Sequence, residues 1–114
     1  MRDAVNELNA LVRDKRLVEG IERFYADEVV MEESSSQAME GRIANRDRER
    51  VFQDGLTRWD ARLESSVVDE ESGLAFNRWT IEYDHSTFGP GVLRQVAAQQ
   101  WRDGKVVRET FYKI

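Results

Sequence analysis

The chain opens with apolar residues at helical spacing, and its second half alternates between apolar and polar residues. A first helix is predicted by four apolar residues that share one helical face: Val5, Leu8, Leu11 and Val12. The polar run 13–16 interrupts that pattern, and apolar residues at helical spacing resume between residues 17 and 25. They predict a second helix, which we expect to end near Asp27.

A short β-branched run and a third helix complete the first half of the chain. Residues 29–31 predict a brief strand, residues 32–36 predict a polar loop, and residues 39–41 are expected to pair with the strand. A third helix is then expected to end near Gly55. Its apolar positions are Ile43, Val51, Phe52 and Leu56.

The second half of the chain is typical of β-strands joined by short turns. Alternation places Leu63, Ser65 and Val67 on one face of a first long strand, and residues 74–85 follow as a second. Residues 88–91 form a Gly/Pro turn, which contains the single proline. Residues 93–101 and 105–113 are then joined at Asp103-Gly104, a pair that tolerates positive φ and is typical of a β-hairpin.

Three helices followed by four long antiparallel strands predict an α+β fold with the helices on one face of a curved sheet. A chain of 114 residues supports one core, so residues 1–114 are expected to form a single domain. Apolar residues occur at both parities of the last two strands: Val96, Trp101, Val106, Val107 and Phe111. We therefore expect the outer face of the sheet to form a homodimer interface.

Composition and charge narrow the set of partners. The chain is 40% hydrophobic and 34% charged and has no apolar run near the ~20 residues that span a bilayer, so a soluble protein without membrane contact is expected. A net charge of -5 argues against a nucleic acid partner. The stripe Arg42, Arg46 and Arg50 is expected to be an exposed helix face neutralised by Asp47 and Glu49. Without cysteine or an apolar leader, the expected location is cytoplasmic.

Several kinds of catalytic site do not fit this sequence. A metal site built on histidine and cysteine needs three or four ligands, and the chain has one histidine and no cysteine. No GxGxxG or GxxxxGK[ST] pattern occurs, so no nucleotide cofactor is expected. His85 lies beside Ser86 at a strand end and is expected to be an exposed polar residue rather than part of a Ser-His-Asp triad.

Two segments carry a family resemblance that spans nearly the whole chain. They are FYADEVVMEE at residues 24–33, followed by Glu40-Gly41, and QWRDGKVVRE at residues 100–109. They resemble the helix-to-strand passage and the hairpin of the SnoaL-like and ketosteroid-isomerase-like branch of the NTF2-like superfamily. The resemblance implies an NTF2-like (cystatin-like) cone, in which three N-terminal helices pack on a curved antiparallel sheet. Enzymes of several classes and proteins without known chemistry share this fold, so the fold alone does not assign a function.

The resemblance implies roles for individual residues. In the ketosteroid isomerases the acidic residue that closes the first motif is the base that moves a proton next to a carbonyl, and Glu33 occupies that place. The two oxyanion-binding positions of those isomerases correspond to Asn9 and Ala97. Because the Ala97 side chain donates nothing, and one lost donor costs roughly 10²–10³ in rate, ketosteroid isomerase activity itself is not expected.

Other enzymes of this fold use acids that have no clear match here. The polyketide cyclases use an aspartate just after the aromatic residue of the last strand, whereas this sequence reads FYKI at residues 111–114. The epoxide hydrolases hold an arginine between two aspartates, and only Asp84 and Arg94 are available for that arrangement.

Two function hypotheses result. The first is a cofactor-independent pocket enzyme of isomerase, cyclase or dehydratase type that transfers a proton on an apolar substrate, with Glu33 as its catalytic base. The second is a non-catalytic dimer that binds an apolar molecule or a partner protein. Six further side chains are expected to contact the bound molecule: Asn9, Trp79, Tyr83, Gln99, Glu109 and Phe111.

Overall fold

The fold follows from a computed structural model that describes residues 1–33 and 36–114. Within those ranges the chain forms three helices and six strands. Their bounds are α1 Arg2–Arg13, α2 Leu17–Phe24, β1 Tyr25–Glu33, β2 Met39–Glu40, α3 Arg42–Gly55, β3 Leu56–Asp69, β4 Leu74–His85, β5 Gly89–Arg102 and β6 Lys105–Lys113. The α+β class and the helices packed against a curved sheet are as expected from the sequence.

The six strands form one sheet in the order β2-β1-β6-β5-β4-β3. Strands β3 to β6 form the antiparallel meander that the sequence predicts. β1, however, runs parallel to β6, with Tyr25 beside Val106 and Met31 beside Glu109. The expectation of a wholly antiparallel sheet is therefore wrong at this one pairing, because β1 enters the sheet directly after α2 and not through a hairpin.

The β5–β6 hairpin forms at the expected turn. Asp103 and Gly104 have φ of 52° and 76°, so both central positions lie in the left-handed region that an Asp-Gly pair tolerates. Trp101 and Val106 flank the turn and are buried in the main core. The hairpin thereby brings the two most central strands of the sheet into register.

Helices α1 and α2 cover the sheet with the apolar faces that their sequences predict. Val5, Leu8 and Leu11 are buried in one core cluster with Ile21. α2 ends at Phe24, three residues earlier than expected, and Tyr25 begins β1. Tyr25 continues the helical spacing of the apolar residues, but its backbone pairs with β6. Pairing within the sheet therefore overrides the helical pattern at this residue.

The inner face of α3 agrees with the expected one at Phe52, whose ring contacts Trp59 and Tyr83, and differs at the other positions. Ile43 and Val51 are exposed at 61% and 71%, and Leu56 belongs to β3. The fully buried residue of α3 is Asn45, whose amide donates to the carbonyl oxygens of Met39 and Gly41. These bonds fix the start of α3 against β2, which pairs with β1 as expected.

A β-bulge changes the parity of β3. The register with β4 shifts between Leu63 and Ser65. As a result Val67 is 60% exposed on the outer face, whereas Val68 packs against the core. The expected placement of Val67 on the same face as Leu63 is wrong, because a bulge inserts one residue without changing the sequence pattern.

The turn between β4 and β5 spans residues 86–88 and not the expected 88–91. Pro90 lies in β5, opposite Asp84. His85 is buried at 6% exposure, contrary to the expected exposed side chain, and its ring stacks on those of Phe52 and Phe88. Its Nδ1 atom accepts hydrogen bonds from the backbone N–H groups of Thr87 and Phe88, at 3.0 and 3.3 Å. His85 therefore holds this turn against the end of α3.

None of the helices described is long and apolar enough to cross a membrane.

Candidate active site

A cavity of about 700 Å³ lies between the helices and the concave face of the sheet. Most of its wall is apolar or aromatic, with residues from α1, α2, α3 and the strands β1 and β3 to β6. The aromatic part includes Phe52, whose ring meets the rings of Trp59 and Tyr83 edge to face at 6.4 and 5.5 Å. A concave, largely apolar cavity with a few convergent polar groups is the usual form of a small-molecule site.

The central polar group of the cavity is the carboxyl of Glu109 on β6, which is buried at 2% exposure. Tyr25, the first residue of β1, donates its hydroxyl hydrogen to Glu109 Oε1. Gln99, directly opposite on β5, donates from Nε2 to Glu109 Oε2 at 2.7 Å. Among the described residues, each carboxyl oxygen therefore accepts one hydrogen bond.

The orientation of Gln99 is fixed by its other partners. Its Oε1 accepts from the indole N–H of Trp101 at 2.9 Å and from the amide of Asn77 at 3.3 Å. With the carbonyl end so occupied, the NH₂ end of Gln99 must face Glu109. The parallel β1–β6 pairing and the β5–β6 hairpin thus both contribute a donor to the same carboxyl.

The network continues away from Glu109 to α1 and β3. Asn77 Oδ1 accepts from the Asn9 amide at 2.9 Å and from the Ser66 hydroxyl at 2.7 Å. Asn9 and Asn77 are both buried. Buried polar groups are costly unless they are paired, so this chain of amides fixes α1 over the sheet and keeps Glu109 in one orientation.

Burial raises the pKa of Glu109 to about 7. The hydrogen bonds from Gln99 and Tyr25 favour the charged carboxylate and lower the pKa, whereas the nearby Glu49 raises it. Burial, together with Glu109, holds the pKa of the Tyr25 hydroxyl well above its usual value, so Tyr25 stays a donor. In both of these hydrogen bonds the Glu109 oxygens are the acceptors. When Glu109 is neutral, its own proton is therefore bound at a lone pair that neither Tyr25 nor Gln99 uses.

Glu49 of α3 is a second carboxyl on the wall of this cavity and is half-buried. Burial raises its pKa, Arg48 lowers it, and Glu33 raises it. The sequence assigns Glu49 to the exposed, neutralised face of α3, and this assignment is wrong for Glu49. The arginines of that face have other partners, namely Asp27 for Arg42, Asp47 for Arg46 and Glu22 for Arg50.

Glu33, the base that the family resemblance implies, is the last residue of β1 and pairs with Phe111 of β6. It lines the cavity but is exposed, as are Phe88 and Lys113, and these exposed lining residues mark the mouth. Glu33 belongs to a strand and not to the expected loop. Of that loop, Ser34 and Ser35 lie outside the described residues.

All seven site residues expected from the sequence line this one cavity. Glu33 lies at its mouth, and Glu109 and Gln99 lie in its interior. The remaining four are Asn9, Trp79, Tyr83 and Phe111. Whether each of them acts on a bound molecule stays a prediction.

Sequence reasoning missed three polar residues of the site. Tyr25 was assigned to a helix, although its place inside the motif at 24–33 was visible. Asn77 shares strand parity with Ala75 and Trp79, which marks it as a polar residue on the inner face of β4. Glu49 follows Asn45 by four residues, but no local signal shows that this side of α3 faces inward.

The arrangement of an arginine between two aspartates is not assembled inside the cavity. Arg94 is exposed on β5. The Asp84 carboxylate binds Arg58 at 3.0 Å near the edge of the sheet, and neither Asp84 nor Arg94 lines the cavity. Over the described ranges, no group of three or more histidine, cysteine, aspartate or glutamate side chains is placed to hold a metal ion.

Comparison with solved structures shows the same fold in distant proteins. A protein from Mesorhizobium loti named as a SnoaL-like polyketide cyclase has a TM-score of 0.81 at 16% identity, covering 97% of each chain. An LEH-like epoxide hydrolase from M. tuberculosis has a TM-score of 0.79 at 12% identity, covering 98% of this chain and 76% of its own. A protein from Bacillus subtilis named as an isomerase has a TM-score of 0.76 at 16% identity, covering 96% and 83%.

Sequence identities this low show only that the fold is shared. The activities named for the three proteins also differ from one another. No match is found among curated proteins. The family comparison is more specific, since the SnoaL-like domain matches residues 5–109. Because that match covers nearly the whole chain, the protein belongs to the SnoaL-like domain family.

Proposed function

We propose that this protein is a cofactor-independent enzyme that transfers a proton on an apolar small molecule bound in the cavity, with Glu109 as its acid–base group. The observation that carries the proposal is the Glu109 carboxyl, buried in an apolar cavity and held by Tyr25 and Gln99. Such a group exchanges protons most effectively when its pKa lies near the working pH, and the pKa of Glu109 is about 7.

The surroundings of Glu109 suit proton transfer to and from carbon. A molecule that fills this largely apolar cavity would displace water from Glu109, which strengthens electrostatic interactions between them. Above pH 7 the carboxylate is a base that is poorly solvated, and below pH 7 the neutral acid presents its proton to a substrate oxygen. Two hydrogen bonds hold the carboxyl in place, so little reorganisation accompanies the transfer.

Glu33 remains the alternative base, as the family resemblance implies. A base at the mouth would act on a substrate that extends towards solvent, whereas Glu109 would act on its buried end. The polar groups that could orient the substrate are the same in both cases. Asn9 and Gln99 offer amides from the interior, and Tyr83 offers a hydroxyl on the wall.

Nitrobenzisoxazole, an apolar aromatic probe, tests this proposal without knowledge of the natural substrate. A base removes the ring C–H proton, the N–O bond breaks, and the electron pair ends on oxygen as a coloured cyanonitrophenolate. We expect catalysis above the buffer rate that increases with pH around a midpoint near 7, as Glu109 ionises. Glu109→Gln should lower this rate at least ~100-fold, the scale of general base catalysis.

The Glu109→Gln variant is suited to this test because its hydrogen bonds can be kept. The oxygen of the new amide can accept from Gln99, and its NH₂ group can donate to the Tyr25 hydroxyl oxygen, so the variant should fold. Glu40→Gln, at an exposed position of β2 that does not line the cavity, is the matched control and should keep the wild-type rate.

The outcomes separate the two candidate bases and the non-catalytic alternative. Loss of the rate in Glu33→Gln, with Glu109→Gln still active, would assign the base to Glu33 and refute the proposal for Glu109. Binding of the probe without acceleration in the wild type, at any pH from 5 to about 9 where carboxyl groups span both charge states, would favour a non-catalytic ligand-binding protein.

A further inference from the structure

Glu49 lies on the inward side of α3, where a helix normally carries apolar residues. Asn45, Glu49 and Phe52 follow the spacing of one helical face. Asn45 is fully buried and Phe52 lines the cavity, so the Glu49 side chain projects between two residues that face inward. A carboxylate in this place costs folding free energy that an apolar side chain would not.

Within residues 1–33 and 36–114 the Glu49 carboxylate forms no ion pair and accepts no hydrogen bond, although Arg48 is near enough to lower its pKa. The adjacent Arg48 donates instead to Asn45 Oδ1 at 2.9 Å. Glu109, the other carboxyl of the cavity interior, has two donors. The two carboxyls therefore differ: within the described ranges, Glu109 has two hydrogen-bond donors and Glu49 has none.

The aromatic part of the cavity begins on the same face of α3 as Glu49. Phe52, three residues later on α3, contacts the rings of Trp59 and Tyr83. The faces of aromatic rings attract cations, and aromatic cages bind quaternary ammonium groups in other proteins. The cationic residues of the lining, Arg48 and Lys113, are both exposed, so the interior offers no positive charge to an anionic ligand.

We propose that the cavity binds an apolar molecule that carries a protonated amine, and that Glu49 is the residue that binds the ammonium group. This inference rests on the proposed function for the cavity and adds the class of molecule that occupies it. The ammonium donates to the Glu49 carboxylate, and the apolar body of the molecule fills the space towards Glu109. An acid of the same shape is excluded, because its carboxylate would lie among Glu33, Glu49 and Glu109.

Three probes of one shape test the class of ligand: naphthylmethylamine, naphthylmethanol and naphthoate. Their binding can be followed at pH 7 through the fluorescence of Trp59 and Trp79, which line the cavity. The wild type should bind the amine about tenfold or more tightly than the alcohol, the scale of one hydrogen bond to a charged group, and the naphthoate most weakly. Glu49→Gln should bind the amine and the alcohol within about threefold of each other and keep its affinity for the alcohol.

Glu40→Gln removes the same charge from the surface and should keep the preference for the amine. Equal binding of amine and alcohol by the wild type would overturn the inference, and so would a preference that survives in Glu49→Gln. In either case binding of the alcohol would leave the proposed function of the cavity intact. Failure of all three probes to bind would instead count against the cavity as a ligand site, and with it both proposals.

Discussion

Tyr25 and Glu109 are 84 residues apart in the chain, and the Tyr25 hydroxyl donates a hydrogen bond to the Glu109 carboxyl inside the cavity. The contact depends on the parallel pairing of β1 with β6, which brings Tyr25 next to Val106. Both partners are buried, and each affects the other: the Glu109 carboxylate raises the pKa of Tyr25, and the Tyr25 hydrogen bond lowers the pKa of Glu109. Burial is the main cause of the raised pKa of Glu109, and the hydrogen bonds from Gln99 and Tyr25 oppose it.

Replacing Tyr25 by phenylalanine should raise the pKa of Glu109 above about 7. The change removes a donor that favours the carboxylate, whereas burial, which favours the neutral acid, stays the same. An NMR titration of protein labelled at the glutamate carboxyl carbons measures this directly. Tyr83→Phe is the matched control, because Tyr83 lines the cavity without bonding to Glu109. A Glu109 midpoint that is unchanged in Tyr25→Phe would show that this hydrogen bond does not tune the carboxyl.

The raised pKa of Glu109 predicts how stability depends on pH. The folded state holds this proton more tightly than the unfolded state, whose ordinary value is 4.5, so the contribution of Glu109 to stability is fully present below pH 4.5 and is lost as pH rises through about 7. Relative to Glu109→Gln, the wild type should lose about 3 kcal/mol of unfolding free energy between pH 4.5 and pH 8. Urea unfolding of both proteins across that pH range tests whether the difference in unfolding free energy decreases as pH rises. A difference that is independent of pH would contradict the raised pKa.

Local signals in the sequence predict those parts of the fold that depend on neighbouring residues. The Asp103-Gly104 turn forms because two adjacent residues accept positive φ, and α1 forms because its apolar residues share one face. The start of β1 depends instead on pairing with β6, more than 80 residues later. Tyr25 therefore has the spacing of a helical residue and the structure of a strand residue. The sequence around Tyr25 does not indicate that its hydroxyl group bonds to Glu109.

In the candidate site, too, some residues could be predicted from local sequence patterns and others could not. Glu109 and Gln99 could be placed in a pocket because strand alternation assigns them to the inner face. Glu49 could not, since the apolar residue Ile43 of α3 is exposed, whereas Glu49 lines the cavity beside Phe52. A hydrophobic pattern identifies the inner face of a helix only when that face packs on a core. α3 instead faces a cavity over part of its length, and a cavity does not require apolar residues at every position.

Gly55 and His85 are in contact at the end of α3, and this contact predicts the effect of Gly55→Ala. A Cβ at Gly55 would lie 2.3 Å from two atoms of the His85 ring. The ring cannot move easily, because it is stacked on Phe52 and Phe88 and accepts two backbone hydrogen bonds. Overpacking costs about 1–3 kcal/mol, and alanine regains at most about 1 kcal/mol through helix propensity, so a net loss of stability is expected.

A double-mutant cycle isolates this contact from the helix effect. In a His85→Ala background the added methyl group has space, so Gly55→Ala should be neutral or stabilising there, by up to about 1 kcal/mol. Thermal or urea unfolding of the four proteins gives the coupling. If Gly55→Ala lowers the free energy of unfolding by the same amount with and without the His85 ring, the steric explanation is wrong.

The outer face of the sheet carries large apolar side chains that no part of the described chain covers. Val67, Phe76, Val92 and Tyr112 are exposed at 60%, 43%, 61% and 50%. Strand register connects several of them: Val67 lies opposite Phe76, Phe76 opposite Ala98, and Tyr112 opposite Val96. Contiguous apolar residues across neighbouring strands are typical of an interaction surface, whereas isolated ones are not.

We propose that this face pairs with a second copy of the chain to form a homodimer. The sequence predicts the same assembly from other residues, of which Trp101 and Val106 lie in the core and Phe111 lines the cavity. Phe76→Glu places a charge on this face and should convert a dimer into a monomer at micromolar concentration, as measured by sedimentation velocity. The reason is that desolvating an unpaired carboxylate in an interface is costly. Ile43→Glu is the control: Ile43 is also exposed, at 61%, but lies on α3 away from this face, so the dimer should persist. A monomeric wild type would refute the proposal, since the exposed residues would then be ordinary surface.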